Sequence, residues 1–182
     1  MSRNILVLTG SPRKGGNSDL LADAFIKGAK AAGNRVDKYE TGLKRIVGCK
    51  ACDRCYSQGE ACVAGDDFNA LAPLMEQSDT LVLVTPMYWF TFPTPLKAAL
   101  DKMYALLVGG RRSNIHESLL LACAETTEEA DFEGLVKTYE LIGAYQKWTD
   151  LAKLLVPGVL KVGDILHTDA LLKAERIGQS LK

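Results

Sequence analysis

Short apolar runs alternate with amphipathic helical patterns along this chain, and that alternation constrains the fold more than any other feature. Mainly apolar runs predict strands over residues 4–9, 80–85, 118–123 and 159–166. Residues 35–40, which follow the glycine that stops the first predicted helix, can form another, so five strands are expected. Apolar residues spaced by three and four predict five helices, over residues 17–32, 68–77, 95–107, 131–155 and 169–181.

Parallel neighbouring strands need right-handed helical crossovers, so this order predicts a five-stranded parallel sheet with helices on both faces. The expected fold class is doubly wound α/β, in three α/β/α layers. A length of 182 residues fits one domain, and no repeat or linker rich in Pro, Gly or Ser divides residues 1–182. The longest helix, 131–155, is expected to bury a seam that includes Leu141, Tyr145 and Trp148.

Charge and hydropathy exclude several classes of partner. The chain carries 22 basic and 22 acidic residues, so no overall positive field attracts nucleic acid or an anionic membrane. The apolar run 5–8 is too short for a signal-peptide core or an anchor, and three prolines interrupt the uncharged stretch 80–96. We therefore expect a cytoplasmic protein without nucleic-acid or membrane partners. Arg111 and Arg112 are expected to lie in a solvated loop.

The loop after the first predicted strand has the character of an anion site. Residues 10–18 read Gly-Ser-Pro-Arg-Lys-Gly-Gly-Asn-Ser and lead into a helix N-terminus. Glycines allow close backbone approach, and free amides with the helix dipole favour an anion. Side chains add neutral donors and one charge, from Ser11, Arg13, Asn17 and Ser18.

Two better-known phosphate patterns fail in this loop. Gly15 is followed by Gly16 and Asn17, where a nucleoside triphosphate loop needs Lys and then Ser or Thr. The dinucleotide fingerprint fails at its second glycine. A single phosphate group fits better than a pyrophosphate, and the alternative is a loop that only turns the chain.

The loop after the third predicted strand is rich in aromatic residues. Residues 85–93 hold four aromatics between prolines, although such a loop is expected at the surface. These side chains can cover a planar ring, and the alternatives are a roof over the core or a dimer contact. A loop of small residues at 122–127 follows the fourth strand at the same sheet edge.

Four of the five cysteines lie within fourteen residues, at Cys49, Cys52, Cys55 and Cys62. This compact spacing allows four thiolates to converge on one [4Fe-4S] cluster. Zinc is a second interpretation, and free thiols or a redox-active pair are a third. Cys123, at the end of a buried strand, is expected to act as a small hydrophobic residue.

Together these motifs resemble the NADPH-dependent FMN reductase family, and within it the iron–sulfur flavoprotein branch of flavodoxin-like proteins. The resemblance spans residues 4 to about 104. It is carried by the 10–18 loop, the four cysteines followed by Asp66-Asp67, the run Pro86-Met87-Tyr88-Trp89, and Leu96-Lys97-x-x-x-Asp101. The chain departs from the family pattern at Lys102, where related chains often carry arginine.

The resemblance implies a set of FMN contacts. Ser11, Arg13, Asn17 and Ser18 would bind the FMN phosphate, and residues 86–90 would contact the ribityl chain and the ring system. The smaller loop would lie near the pyrimidine side. The implied cofactor contacts beyond the phosphate are therefore Pro86, Met87, Tyr88, Trp89, Phe90, Ala124 and Glu125. No catalytic side chain is expected, because the flavin itself accepts hydride.

The resemblance also implies an oxidoreductase. It would move electrons from NAD(P)H, or from a reduced ferredoxin-type donor, through FMN to a small acceptor such as a quinone, a flavin or an iron centre. The alternative is a non-enzymatic iron–sulfur flavoprotein that shuttles electrons between protein partners. A flavin-free binding module is a third hypothesis. Flavoproteins of this kind commonly pair, so a homodimer or homotetramer is expected.

Overall fold

One parallel sheet organises the chain. The computed structural model describes residues 2–111 and 113–182, so the expectation for Arg112 lies outside the described residues. The strands run in the order β2-β1-β3-β4-β5, and every neighbouring pair is parallel. Their bounds are β1 (Asn4–Thr9), β2 (Arg35–Glu40), β3 (Thr80–Pro86), β4 (Glu117–Cys123) and β5 (Thr149–Val156). The predicted five-stranded, flavodoxin-like class is confirmed.

Helices cover both faces of the sheet. Within the described residues they are α1 (Asn17–Ala31), α2 (Phe68–Gln77), α3 (Thr94–Asp101), α4 (Tyr104–Val108), α5 (Glu133–Gln146) and α6 (Ala170–Ser180). Alternate strand residues point to opposite faces and join two separate apolar cores. Phe25 of α1 and Ala174 of α6 belong to one core, and Phe68, Leu96 and Tyr139 belong to the other. No helix in the described part of the chain has both the length and the apolar character of a membrane span.

Helices α1 and α6 pack in direct backbone contact. A Cβ atom on Gly28 would lie 2.0 Å from the carbonyl oxygen of Glu175, and one on Gly178 would lie 2.3 Å from that of Phe25. Only glycine allows this approach, so two glycines set the distance between the helices.

The predicted helix 131–155 is wrong. Helix α5 ends at Gln146, because Lys147 takes the left-handed conformation with φ 61°. The amides of Lys147 and Trp148 then bond back to Ala144 and Gly143, which closes the helix. Lysine replaces the usual glycine at this position, so the sequence carries no stop signal. Leu141 and Tyr145, expected in the buried seam, are 59% and 75% exposed.

The last strand therefore lies earlier than predicted. Residues Thr149–Val156 pair with β4 as an edge strand, and their mixture of polar and apolar residues fits both periodicities. Residues 159–166, predicted as the strand, form a loop and a short 3-10 helix, Asp164–His167. The Asp164 carboxylate accepts the amides of Leu160 and Lys161 at 3.0 and 2.7 Å, which takes these donors away from strand pairing.

The predicted helix 95–107 is interrupted. Helix α3 ends at Asp101 and α4 begins at Tyr104, so Lys102 and Met103 lie at the break. Both are buried, at 3% and 4% exposure. The break directs a lysine side chain into the protein, where its charge needs a partner.

The glycine contact between α1 and α6 gives a stability prediction. Gly28→Ala is expected to destabilise the protein by about 1–3 kcal/mol. The added methyl would meet the backbone of α6 at Glu175, which can move away only if the whole helix shifts. Gly143→Ala in α5 is the matched control. Nothing lies within 4 Å of its added Cβ, so we expect about 0.5–1 kcal/mol of stabilisation from better helix propensity. Urea unfolding measures both, and a G28A variant as stable as G143A would contradict the close contact.

Candidate functional site

The loops after β1, β3, β4 and β5 surround one cavity of about 660 Å³, called here the edge cavity. It lies beyond the carboxyl ends of the strands, where open parallel sheets bind ligands. All eleven residues predicted to contact the cofactor line it. They are Ser11, Arg13, Asn17, Ser18, Pro86, Met87, Tyr88, Trp89, Phe90, Ala124 and Glu125.

One end of the edge cavity, called here the phosphate end, is suited to an anion. Within the described residues, the backbone amides of Ser11, Asn17 and Ser18 have no protein acceptor. The exposed Arg13 adds charge, and its amide donates to the Ser11 hydroxyl at 3.1 Å. Free amides at the start of α1, together with a guanidinium, match the oxygens of a phosphate group.

The negative charge of Asp19, beside this end of the cavity, is balanced by an ion pair with Lys38. The Asp19 carboxylate accepts the Gly15 amide at 2.8 Å and the Lys38 ammonium at 2.7 Å. Burial alone would raise the pKa of Asp19, but these hydrogen bonds outweigh burial and leave the pKa below its ordinary value. The carboxylate fixes the loop, and its charge is balanced by lysine.

The Asn17 side chain, predicted to bind a phosphate, makes three hydrogen bonds to the loop after β5. Its amide nitrogen donates to the carbonyl of Lys161 at 2.9 Å, and its oxygen accepts the amides of Gly163 and Ile165 at 3.1 and 3.3 Å. The side chain therefore ties the loop after β5 to the phosphate end. Its backbone amide is the group left free to meet an anion.

The other end of the edge cavity is aromatic and carries backbone strain. Tyr88 and Thr91 exchange two backbone hydrogen bonds, of 2.9 and 3.1 Å, across a tight turn. Trp89 and Phe90 at its tip have φ 45° and 63°, which costs bulky residues about 1–2 kcal/mol each. Trp89 is 92% exposed and Phe90 54%. Such strain concentrates at functional sites.

The structure adds cavity residues that were not predicted to contact the cofactor. They are Gly16, Cys123, Thr126, Asp131, Val159, Leu160 and Val162. Cys123 could have been found from its place at the carboxyl end of β4. Burial raises the pKa of its thiol to about 12, so it stays protonated. The last three were missed because residues 159–166 were predicted as a strand.

A second cavity, of about 410 Å³, is lined by the four clustered cysteines, and we call it the cysteine cavity. Cys49 and Cys52 are exposed, whereas Cys55 and Cys62 are half-buried. Burial, with the neighbouring thiols second to it, raises the pKa of Cys55. Among the residues described, no three His, Cys, Asp or Glu side chains stand close enough to hold one metal ion. The thiols share a cavity without converging on a point.

The backbone of the cysteine loop, residues 48–65, is built for negative charge. Ala51, Asp53 and Tyr56 take left-handed conformations, with φ of 48°, 51° and 57°. Left-handed residues among ordinary ones turn successive amides toward one side and make concavities that bind anions and iron–sulfur groups. One such amide, from Ala51, already donates to the Cys49 sulfur at 3.4 Å. This donor set fits thiolate ligands.

Two aspartates close the neck of the cysteine loop. Asp66 accepts the amides of Val47 and Phe68 at 2.8 and 3.2 Å, and Asp67 accepts that of Arg45 at 2.7 Å. Asp66 also pairs with the buried Lys102 ammonium at 2.5 Å. Burial opposes ionisation of Asp66, but these hydrogen bonds outweigh it and hold the pKa below its ordinary value.

Residues 41–42, which lead toward the cysteine loop, pack against the loop that follows β1. The Thr41 hydroxyl donates to the carbonyl of Thr9 at 2.8 Å. A Cβ on Gly42 would lie 2.4 Å from the carbonyl carbon of Ser11 and 2.7 Å from the nitrogen of Pro12. The segment that leads to the cysteines therefore lies directly against the loop at the phosphate end.

Comparison with known proteins agrees with this geometry. The model of the NADPH-dependent FMN reductase family matches residues 3–136. An iron–sulfur flavoprotein from Methanosarcina thermophila is 29% identical over 160 residues, which is 88% of this chain and 77% of the relative. Another, from Archaeoglobus fulgidus, is 36% identical over 96 residues, which is 53% of this chain. The match spans only 43% of that relative's length.

Solved structures share the fold across the whole chain. An NAD(P)H:quinone oxidoreductase from Methanothermobacter marburgensis has a TM-score of 0.80 at 20% identity, covering 100% of this chain and 97% of that one. An FMN-dependent NADH-azoreductase from Bacillus anthracis, in complex with FMN, has a TM-score of 0.73 at 14% identity, covering 100% and 99%. At these identities the likeness concerns the fold.

The Gly42 contact predicts a change in cofactor affinity. Gly42→Ala is expected to weaken FMN binding, because the added methyl displaces the backbone of Ser11. Gly48→Ala is the matched control in the same segment, since nothing lies within 4 Å of its added Cβ. Fluorescence titration with FMN measures both variants. Equal affinities of the two variants for FMN would show that the packing of Gly42 against Ser11 does not determine how well the phosphate end binds.

Proposed function

Since this chain belongs to the NADPH-dependent FMN reductase family, we propose that it is an oxidoreductase with FMN in the edge cavity. It takes electrons from NAD(P)H or a reduced protein donor and passes them to a small acceptor such as a quinone, a flavin or an iron centre. The observation that carries the proposal is the two-ended cavity, with free amides and Arg13 at one end and aromatic side chains at the other.

The chain's residues act by binding and positioning. FMN, when bound, supplies the chemistry of hydride acceptance and onward electron transfer. Free amides at the start of α1 hold the phosphate, and Arg13 compensates its charge. Pro86 and Met87 follow β3 directly, and the Met87 amide is fixed by the Cys123 carbonyl at 2.9 Å. A fixed backbone at this position orients the ring system.

The reaction is tested by following flavin absorbance under anaerobic conditions after NADPH is added. We expect NADPH to bleach the flavin bands and a quinone to restore them, with steady-state NADPH oxidation when both are present. If reduced ferredoxin bleaches the flavin and NADPH does not, the enzyme proposal in its NADPH form is wrong. If the protein has no affinity for FMN, the third hypothesis, a flavin-free module, replaces both.

A second candidate function is an electron carrier between protein partners. It is favoured by the four cysteines around one cavity and by the anion-binding backbone of the cysteine loop.

We propose that Cys49, Cys52, Cys55 and Cys62 hold a [4Fe-4S] cluster, with zinc and free thiols as the alternatives. The thiolates must move together to do so, because they do not converge in the present arrangement. All five cysteines are free, which suits the reducing cytoplasm that we propose as the location.

Arg13 gives a prediction about phosphate recognition. Arg13→Gln is expected to weaken FMN binding about tenfold, the effect of losing one charge-assisted hydrogen bond. Riboflavin, which lacks the phosphate, should bind both forms equally. Lys14→Gln is the matched control, because Lys14 is the adjacent exposed cation and does not line the edge cavity. Equal loss of FMN and riboflavin in R13Q would mean that Arg13 shapes the cavity without reading the phosphate.

We also propose a homodimer or homotetramer in which a second copy covers the mouth of the edge cavity. The mouth carries large exposed apolar side chains, including Trp89, Phe90, Leu160 and Val162. An apolar rim of this kind is typical of an interface. Light scattering should give two or four times the mass of the chain. A monomer that retains FMN would contradict the proposal.

A further inference from the structure

The cysteine cavity contains a buried cation whose hydrogen-bonding capacity is not exhausted. Lys102 lines the cavity together with the four cysteines, and its side chain is 2% exposed. An ammonium carries three N–H donors. Asp66 is the one hydrogen-bond acceptor that the described residues give it, and the nearby Phe68 ring lies 5.7 Å away. Donors of Lys102 therefore remain for another acceptor in the cavity.

The position of this ammonium is fixed from several sides. Lys102 lies at the break between α3 and α4, and its amide donates to the carbonyl of Ala98 at 3.1 Å. Asp66, also buried, is held in turn by the amides of Val47 and Phe68. An ion pair placed this way is costly to bury and would be replaceable by apolar residues if it only filled space. Its place in the lining of the cavity that the four cysteines share points to a role there.

We infer that Lys102 is the charge-compensating residue of the cysteine cavity. Asp66 holds it in place, and its remaining N–H groups are available to the sulfur atoms that a bound cluster or metal ion would bring together there. The inference rests on the proposed binding of a cluster or metal ion by the four thiolates. Four thiolates carry more negative charge than one bound divalent ion neutralises, and hydrogen bonds to cluster sulfurs are among the factors that set reduction potential. Lys102 stabilises the negative charge, and Asp66 is its positioning residue.

Three variants separate this role from a structural one. Lys102→Met alone would leave the buried Asp66 carboxylate without its cationic partner. The informative variant is therefore the neutral pair, in which Asp66→Asn is combined with Lys102→Met. Lys102→Arg keeps the charge. Lys97→Met is the matched control, since Lys97 lies on α3 and pairs with Asp101 on the surface, outside the cavity. Melting temperature and FMN content verify that each variant folds.

The first readout is the midpoint potential of the protein reconstituted anaerobically with iron and sulfide. We expect the neutral pair to take up iron but to have a more negative potential, because the added electron loses its compensating cation. Lys102→Arg and Lys97→Met should keep the wild-type potential. A merely structural role would change the melting temperature and leave the potential of the loaded protein unmoved. Equal potentials in all loaded variants would overturn the inference while leaving the cluster proposal intact.

The second readout is Cd²⁺ binding by the metal-free protein, followed through thiolate-to-metal absorption. We expect the neutral pair to bind Cd²⁺ about 10- to 100-fold more weakly than wild type, the range found when groups around metal ligands are lost. If no iron–sulfur cluster forms in the wild type, the cluster proposal fails and the Cd²⁺ result decides the role of Lys102. Equal Cd²⁺ affinities, or no Cd²⁺ binding by the wild type, would overturn it.

Discussion

The pairing of β1 with both β2 and β3 is the interaction on which both cavities depend. Thr9 at the end of β1 lies opposite Glu40 on one side and Val84 on the other. All three strands therefore end at the same edge of the sheet. The loops that leave them carry the anion-binding amides, the cysteines and the aromatic turn. Parallel pairing thus brings together three segments that are far apart in the sequence.

Backbone strain is concentrated where this edge carries chemistry. Among the described residues, six that are not glycine have a positive φ. Lys147 ends α5, and the other five lie in the cysteine loop or in the aromatic turn. They are Ala51, Asp53, Tyr56, Trp89 and Phe90. Conformations of this kind persist only where the surrounding structure holds them. Here the neck aspartates hold the loop, and the carbonyl of Phe90 lies against Gly134, where a Cβ would stand 2.8 Å away.

The sequence predicted the sheet class because β1, β3 and β4 are buried on both faces and read as continuous apolar runs. The edge strand β2 is largely polar, and it was predicted from its place after the glycine that ends α1. The edge strand β5 was missed, since Asp150 and Lys153 interrupt its apolar residues and a lysine stands where a glycine normally ends the preceding helix. Eleven of the residues that line the edge cavity could be predicted from three local motifs that each follow a strand.

Other features depend on contacts across the fold and could not be predicted. The Asn17 side chain ties down residues 161–165, which no local pattern reveals. Lys102 was noted as a departure from the family pattern, but its pairing with Asp66 joins residues 36 positions apart. A buried lysine at a helix break reads in the sequence as an ordinary polar position. Only the folded structure shows that this lysine lines the same cavity as the four cysteines.

The visible absorption spectrum of freshly purified protein, kept anaerobic throughout, tests the contents of both cavities at once. We predict resolved flavin bands over a broad brown shoulder, because we propose FMN in the edge cavity and an iron–sulfur cluster in the cysteine cavity. Flavin bands alone would support FMN in the edge cavity and contradict an iron–sulfur cluster in the cysteine cavity. A colourless protein that takes up neither FMN nor iron and sulfide would contradict both.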